Sequence, residues 1–155
     1  MGEIRKPAVA GMFYPATPDK LERQLSRLFS EVPVSSVEET MIPGIIAPHA
    51  GYMYSGLTAA YAYKKIADKK YTKVIILSPS HREYFGGISI YDGDAYETPL
   101  GRINVDQNIA QKMFDISPRI MRSKAGHRDE HGIEVHLPFL QEIYGNDFEF
   151  VPVVM

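Results

Sequence analysis

Apolar positions first recur at helical spacing between residues 17 and 30, where Leu21, Leu25, Leu28 and Phe29 fall on one face. Thr17 is placed to cap that helix, Pro18 suits its first turn, and Asp19 complements its dipole. Residues 31–40 are polar and β-branched and read as a loop. Gly44-Ile45-Ile46-Ala47-Pro48 is a short apolar run with the length of a buried strand. The glycine-bearing stretch HAGYMYSG (49–56) reads as a loop, and 57–67 as a helix with alanine and tyrosine toward the core. Lys73 to Ser78 is a second continuous apolar run, ended by Pro79. Shorter strand patterns follow at 88–91 and 101–105, then a helix from Asp106 to Phe114 with Ile109 and Met113 one turn apart. Residues 116–130 are charged and irregular, and Glu130–Tyr144 reads as a helix interrupted or kinked at Pro138.

The closing residues FEFVPVVM form a buried-strand pattern starting at Phe148, with no turn, cap or polar tail after it. Chain ends are usually exposed and loosely held, so a single α/β domain over 1–155, truncated at its C-terminal side, is expected. The order is strand–helix–strand early and mixed later, which points to an α/β fold with a mostly parallel sheet.

Composition removes several function classes. Seventeen basic against nineteen acidic residues give a formal charge of −2, so neither nucleic acid nor an anionic membrane is an expected partner. The absence of cysteine excludes disulfides, thiolate metal sites and a cysteine nucleophile within these residues. No apolar run approaches the roughly 20 residues of a membrane span, and a cytoplasmic location is expected.

Two histidines occupy matched places. His49 follows Gly-Ile-Ile-Ala-Pro, and His81 follows Val-Ile-Ile-Leu-Ser-Pro-Ser, each behind a proline that ends an apolar run. If a helix joins two parallel strands, both carboxyl ends lie on the sheet edge where α/β proteins bind ligands, so the two rings should converge. Neutral imidazoles at such a place suit metal binding, and two of them with one carboxylate suit non-haem Fe(II). Two ligands do not make a selective site, so a third is required. A second cluster, His127-Arg128-Asp129-Glu130-His131-Gly132-Ile133-Glu134-Val135-His136, packs three histidines into ten residues. On a helix His131 and Glu134 share a face, while His136 lies about 140° around from His131. This is not the HExxH pattern of zinc proteases. His131 and His136 flank apolar residues and are read as functional. Arg128 and Asp129 read as a solvated face, and His127 as a loop residue whose replacement spares fold and iron affinity. Tyr52, Tyr54, Glu134 and His136 are candidates for lining the same cleft.

Four stretches together, AGMFYPA (10–16), IIAPHAGYMYSG (45–56), ILSPSH (76–81) and DEHGIEVHLPFLQ (129–141), resemble the Memo family in family order across nearly the whole chain. That family is similar in fold to the class III extradiol dioxygenases, which implies a three-layer α/β/α sandwich with a mostly parallel or mixed central sheet. The resemblance matches His49 and His81 to the first two metal-binding histidines and implies a third ligand beyond Met155, with Glu134 or His131 as the next candidates in this chain. It matches His131, in Glu-His-Gly, to the catalytic histidine beside the iron, with an acid/base or O₂-orienting role. It implies a divalent metal, foremost Fe(II), with copper or zinc as alternatives. It also implies a small-molecule or peptide ligand, and radical-SAM and AMMECR-like protein partners. Three activities are therefore open: dioxygenase-like oxidoreduction, non-catalytic binding of a metal or peptide, and metal-dependent hydrolysis.

Overall fold

The structure, a computed structural model, describes residues 2–33 and 41–155. Its elements are β1 (Ile4–Arg5), α1 (Pro18–Glu31), α2 (Tyr52–Lys64), β2 (Lys73–Ser78), β3 (Ile88–Tyr91), β4 (Ala95–Thr98), β5 (Gly101–Val105), α3 (Gln107–Ile116), β6 (Ile120–Ser123), α4 (Leu137–Tyr144) and β7 (Glu149–Val154), with a 3₁₀ turn at Glu134–His136.

The apolar run at the end of the sequence is the centre of the sheet. β7 pairs in parallel with β2 along its whole length, from Lys73↔Glu149 to Ser78↔Val154. Its other edge is shared: parallel β5 takes the start (Asn104↔Glu149) and antiparallel β3 takes the end (Ser89↔Val154). β4 pairs with β5 and β1 with β4, while β6 pairs with β3. A strand covered on both faces has no polar side to show, hence the near-continuous Phe148–Val154 run. Phe150 and Val154 enter the larger core with α1, α2 and α4, whereas Val151 and Val153 pack with Ile90 and Ala110 under α3. Helices therefore flank both faces, giving a mixed three-layer α/β arrangement. Each such side chain fully buried is worth about 1.5–3 kcal/mol.

Local chemistry accounts for the helices. Leu21 and Leu25 of α1 are fully buried, with Pro18 in the first turn, although Thr17 makes no side-chain cap bond. Asp106 caps α3 by accepting from Ile109 N–H at 2.9 Å and pairs with Lys73 Nζ at 2.7 Å, tying the cap to the start of β2.

The structure departs from the sequence pattern in several places. Residues 44–48 form no strand among the described residues, and Ile46 is 99% exposed. An apolar run becomes a strand only where a neighbouring edge satisfies its backbone, and none pairs with it here. The loop expected at 49–56 is largely helical, because α2 begins at Tyr52, whose N–H donates to Phe13 O at 2.7 Å. Irregular 116–130 contains β6, and β1 and β4 carried no clear pattern at all. The helix expected from Glu130 starts only at Leu137; Pro138 sits in its first turn and opens it rather than kinking it. Residues 34–40 of the expected 31–40 loop lie outside the described residues. No helix among the described residues is long and apolar enough to cross a membrane.

Candidate metal centre

His49 lies just ahead of α2, His81 three residues past the end of β2, and His131 in the loop before the 3₁₀ turn. The three rings meet. His49 Nε2 and His81 Nε2 are 3.3 Å apart, and ring centroids lie at 5.1 Å (His49–His81), 4.6 Å (His81–His131) and 5.9 Å (His49–His131). One donor atom from each falls within 4.8 Å of the other two. Metal–nitrogen bonds of about 2.0–2.1 Å put adjacent donors about 3.0–3.4 Å apart. The His49–His81 pair already has that spacing.

Each approach has a local cause. The amide of Tyr52 bonded to Phe13 fixes the start of α2, and the Tyr52 hydroxyl donates to Val135 O at 2.7 Å, joining α2 to the turn behind His131. Glu130 joins the other two histidines. Its carboxylate accepts from His81 N–H (2.5 Å) and contacts His81 Nδ1 (2.8 Å), and it accepts from the amides of His131 and Gly132 (2.9 Å each). Gly132 permits the turn to press on β2, since a Cβ there would sit 2.0 Å from Ser78 Oγ.

The electrostatics suit cation binding. Burial pushes the Glu130 carboxyl up, but the hydrogen bonds from His81 and Gly132 outweigh it and hold the group below its usual value. A carboxylate so held accepts a hydrogen bond from His81 Nδ1–H and leaves the lone pair on Nε2, the carboxylate–histidine arrangement common behind metals. Burial, then the neighbouring His81, depresses His49. Burial likewise depresses His131, against the opposing pull of Glu130. Both shifts favour the neutral ring, the ligand form. His131 Nδ1 lies 3.3 Å from Glu130 Oε1 but without hydrogen-bond geometry. Phe13 packs on the His131 ring at 4.7 Å. A cavity of about 550 Å³ adjoins Arg82 and Glu130.

The other sequence candidates fall elsewhere. His136 is buried next to His49, with centroids 6.4 Å apart, and its Nδ1 has no hydrogen-bond partner among the described residues. Tyr52 is a core residue against Phe139, and Tyr54 is 83% exposed. Glu134 turns to the N-terminal segment, where its carboxylate pairs with Arg5 and accepts from Ala8 N–H (2.8 Å), Val9 N–H (3.0 Å) and Tyr14 Oη–H (2.5 Å). It is therefore a structural anchor. Arg128 pairs with Glu83 on the surface. His127, expected in a loop, is 1% exposed, with Nδ1 2.7 Å from the Tyr96 hydroxyl and its carbonyl accepting from Arg5 Nε. Sequence reasoning passed over Glu130, whose only signal was its place ahead of His131 in a charged run.

Fold and site define a mixed α/β protein with a three-histidine cluster beside the carboxyl end of β2. The profile of the Memo-like protein family matches residues 5–155, and the chain belongs to that family. It is 40% identical over 153 residues to a MEMO1 family protein of Thermoplasma volcanium, covering 98% of this chain and 55% of the relative. A MEMO1 family protein of Methanopyrus kandleri is 38% identical over 158 residues, covering 97% and 56%. The chain spans about half the length of the curated relatives it matches.

Proposed function

We propose that His49, His81 and His131 hold one divalent metal, of non-haem Fe(II) type, for redox chemistry on a small molecule. The observation that carries this reading is the meeting of three imidazole donors within 4.8 Å, one of them backed by a buried carboxylate. The resemblance to extradiol dioxygenases favours iron over zinc or copper, all of which accept imidazole. His131 is then a ligand in this chain, where the sequence placed the third ligand beyond Met155. Glu130 is not the carboxylate ligand of a two-histidine site, because its oxygens are committed to His81 and to two amides. When bound, such an ion would supply Lewis-acid polarisation of an oxygen-donor ligand and a redox centre. The chain's own residues set the conditions. Glu130 orients His81, Phe13 covers one side of His131, and the exposed edge at His81 leaves room for an incoming ligand. The test is anaerobic Fe(II) titration followed by O₂ uptake with a catechol. Stoichiometric iron that is lost in His49→Ala, together with uptake, supports the reading. Iron without uptake reduces it to a binding site, and no iron overturns it.

A further inference from the structure

The cavity of about 550 Å³ opens where three stretches meet: the residues between β1 and α1, the turn after β2, and the loop ahead of the 3₁₀ turn. Four charged side chains line it, and two of them are already engaged. Glu83 pairs with Arg128, and Glu130 is committed to His81 and to the amides of His131 and Gly132. Arg82 and Asp129 are not engaged. Both residues are exposed, and neither makes an ion pair or a side-chain hydrogen bond among the described residues, with the other or with any third group. Ala8 and Met12 add an apolar side to the same space. One cavity thus presents an uncommitted cation, an uncommitted anion and an apolar wall. The chemistry each calls for is distinct. A guanidinium offers a planar fork of donors that matches a carboxylate, while a carboxylate takes donors such as an ammonium.

We propose that this cavity binds an α-amino acid with an apolar side chain, its carboxylate on Arg82, its ammonium on Asp129 and its side chain along Ala8 and Met12. A simple anion is drawn to Arg82 but repelled by Asp129, and a simple amine meets the reverse, so only a zwitterion satisfies both charges. Glu130 lines the cavity and also holds His81, so the bound ligand lies beside the histidine cluster. The inference stands independently of the metal reading, because none of the three contacts uses a metal.

The test is titration of the metal-free 155-residue chain by NMR, following the Arg82 Nε–H and the backbone amides of Arg82 and Asp129. The probes are L-norleucine, hexanoate, which lacks the ammonium, and pentylamine, which lacks the carboxylate. Exposed charge pairs contribute up to about 1 kcal/mol, or about fivefold in affinity, so norleucine should bind about fivefold more tightly than either analogue. Arg82→Gln should weaken norleucine and hexanoate about fivefold and leave pentylamine unchanged or tighter. Asp129→Asn should weaken norleucine and pentylamine by a similar factor and leave hexanoate unchanged or tighter. Both residues are exposed, so both variants should keep the native unfolding midpoint. Three results overturn the proposal: norleucine leaves these signals unmoved, norleucine binds no more tightly than hexanoate, or both variants bind it as the native chain does. The second would reduce the cavity to an anion site on Arg82 alone.

Discussion

Replacing Glu134 tests whether this carboxylate anchors the fold or serves the site. Its side chain is fully buried and receives the Arg5 guanidinium, two backbone amides and the Tyr14 hydroxyl. Glu134→Ala leaves Arg5 with its bonds to the carbonyls of His127 and Glu130 but with no counter-charge. Breaking a buried ion pair by removing one partner costs about 3–5 kcal/mol, and each donor left unsatisfied adds about 1–3 kcal/mol unless water reaches it. Water entering between the N-terminal segment and the turn offsets part of this, so the expected loss is about 4 kcal/mol. That is a large share of the roughly 5–15 kcal/mol typical of a domain. Glu134→Gln keeps one acceptor but loses the charge and sets an NH₂ against donors, so it should lose about 2 kcal/mol. Replacing the pair together, Arg5→Met with Glu134→Leu, should recover much of the loss. The assay is urea unfolding with an unchanged slope, paired with metal titration of the folded protein. A Glu134→Ala chain that keeps its stability but loses metal affinity would refute the anchoring role and put Glu134 back in the cleft.

Glu130→Gln should weaken metal binding by about 10–100-fold, because the amide no longer fixes the His81 tautomer; isothermal titration checks this. Burial depresses His127 to about 4, so the unfolded chain takes up protons first as the pH falls. His127 should contribute nothing to the pH dependence well above pH 6.5 and a loss of about 3 kcal/mol toward pH 4, with His136, depressed to about 4 by the same burial, adding to the total; the slope should be shallower in His127→Gln, and urea midpoints across pH read this out. Gly132→Ala should lower both stability and metal affinity, since its Cβ would press on Ser78 at the end of β2. Tyr54→Ala should change neither, in line with its exposed ring.

The parts of the fold legible in the sequence are those dominated by one local signal. α1 carries an uninterrupted apolar stripe, and β2 and β7 are continuous apolar runs. The meeting of His49 and His81 was also legible, but for an incomplete reason. The run before His49 is not paired as a strand, and the convergence rests instead on the early start of α2 against Phe13. β1, β4 and β6 were illegible because strands of two to four residues are made by their neighbours rather than by their own pattern. The charged stretch 127–136 was misread for a related reason. Charge normally marks solvent, yet His127, Glu130 and Glu134 are buried and paired with partners far away in sequence.

X-ray absorption on the Fe(II)-loaded chain tests the central claim most directly, because it counts the imidazoles around the metal. Three nitrogen scatterers of imidazole type at about 2.1 Å, falling to two in His131→Ala, are the predicted result. Two imidazoles in the native chain, unchanged by His131→Ala, would contradict a three-histidine centre.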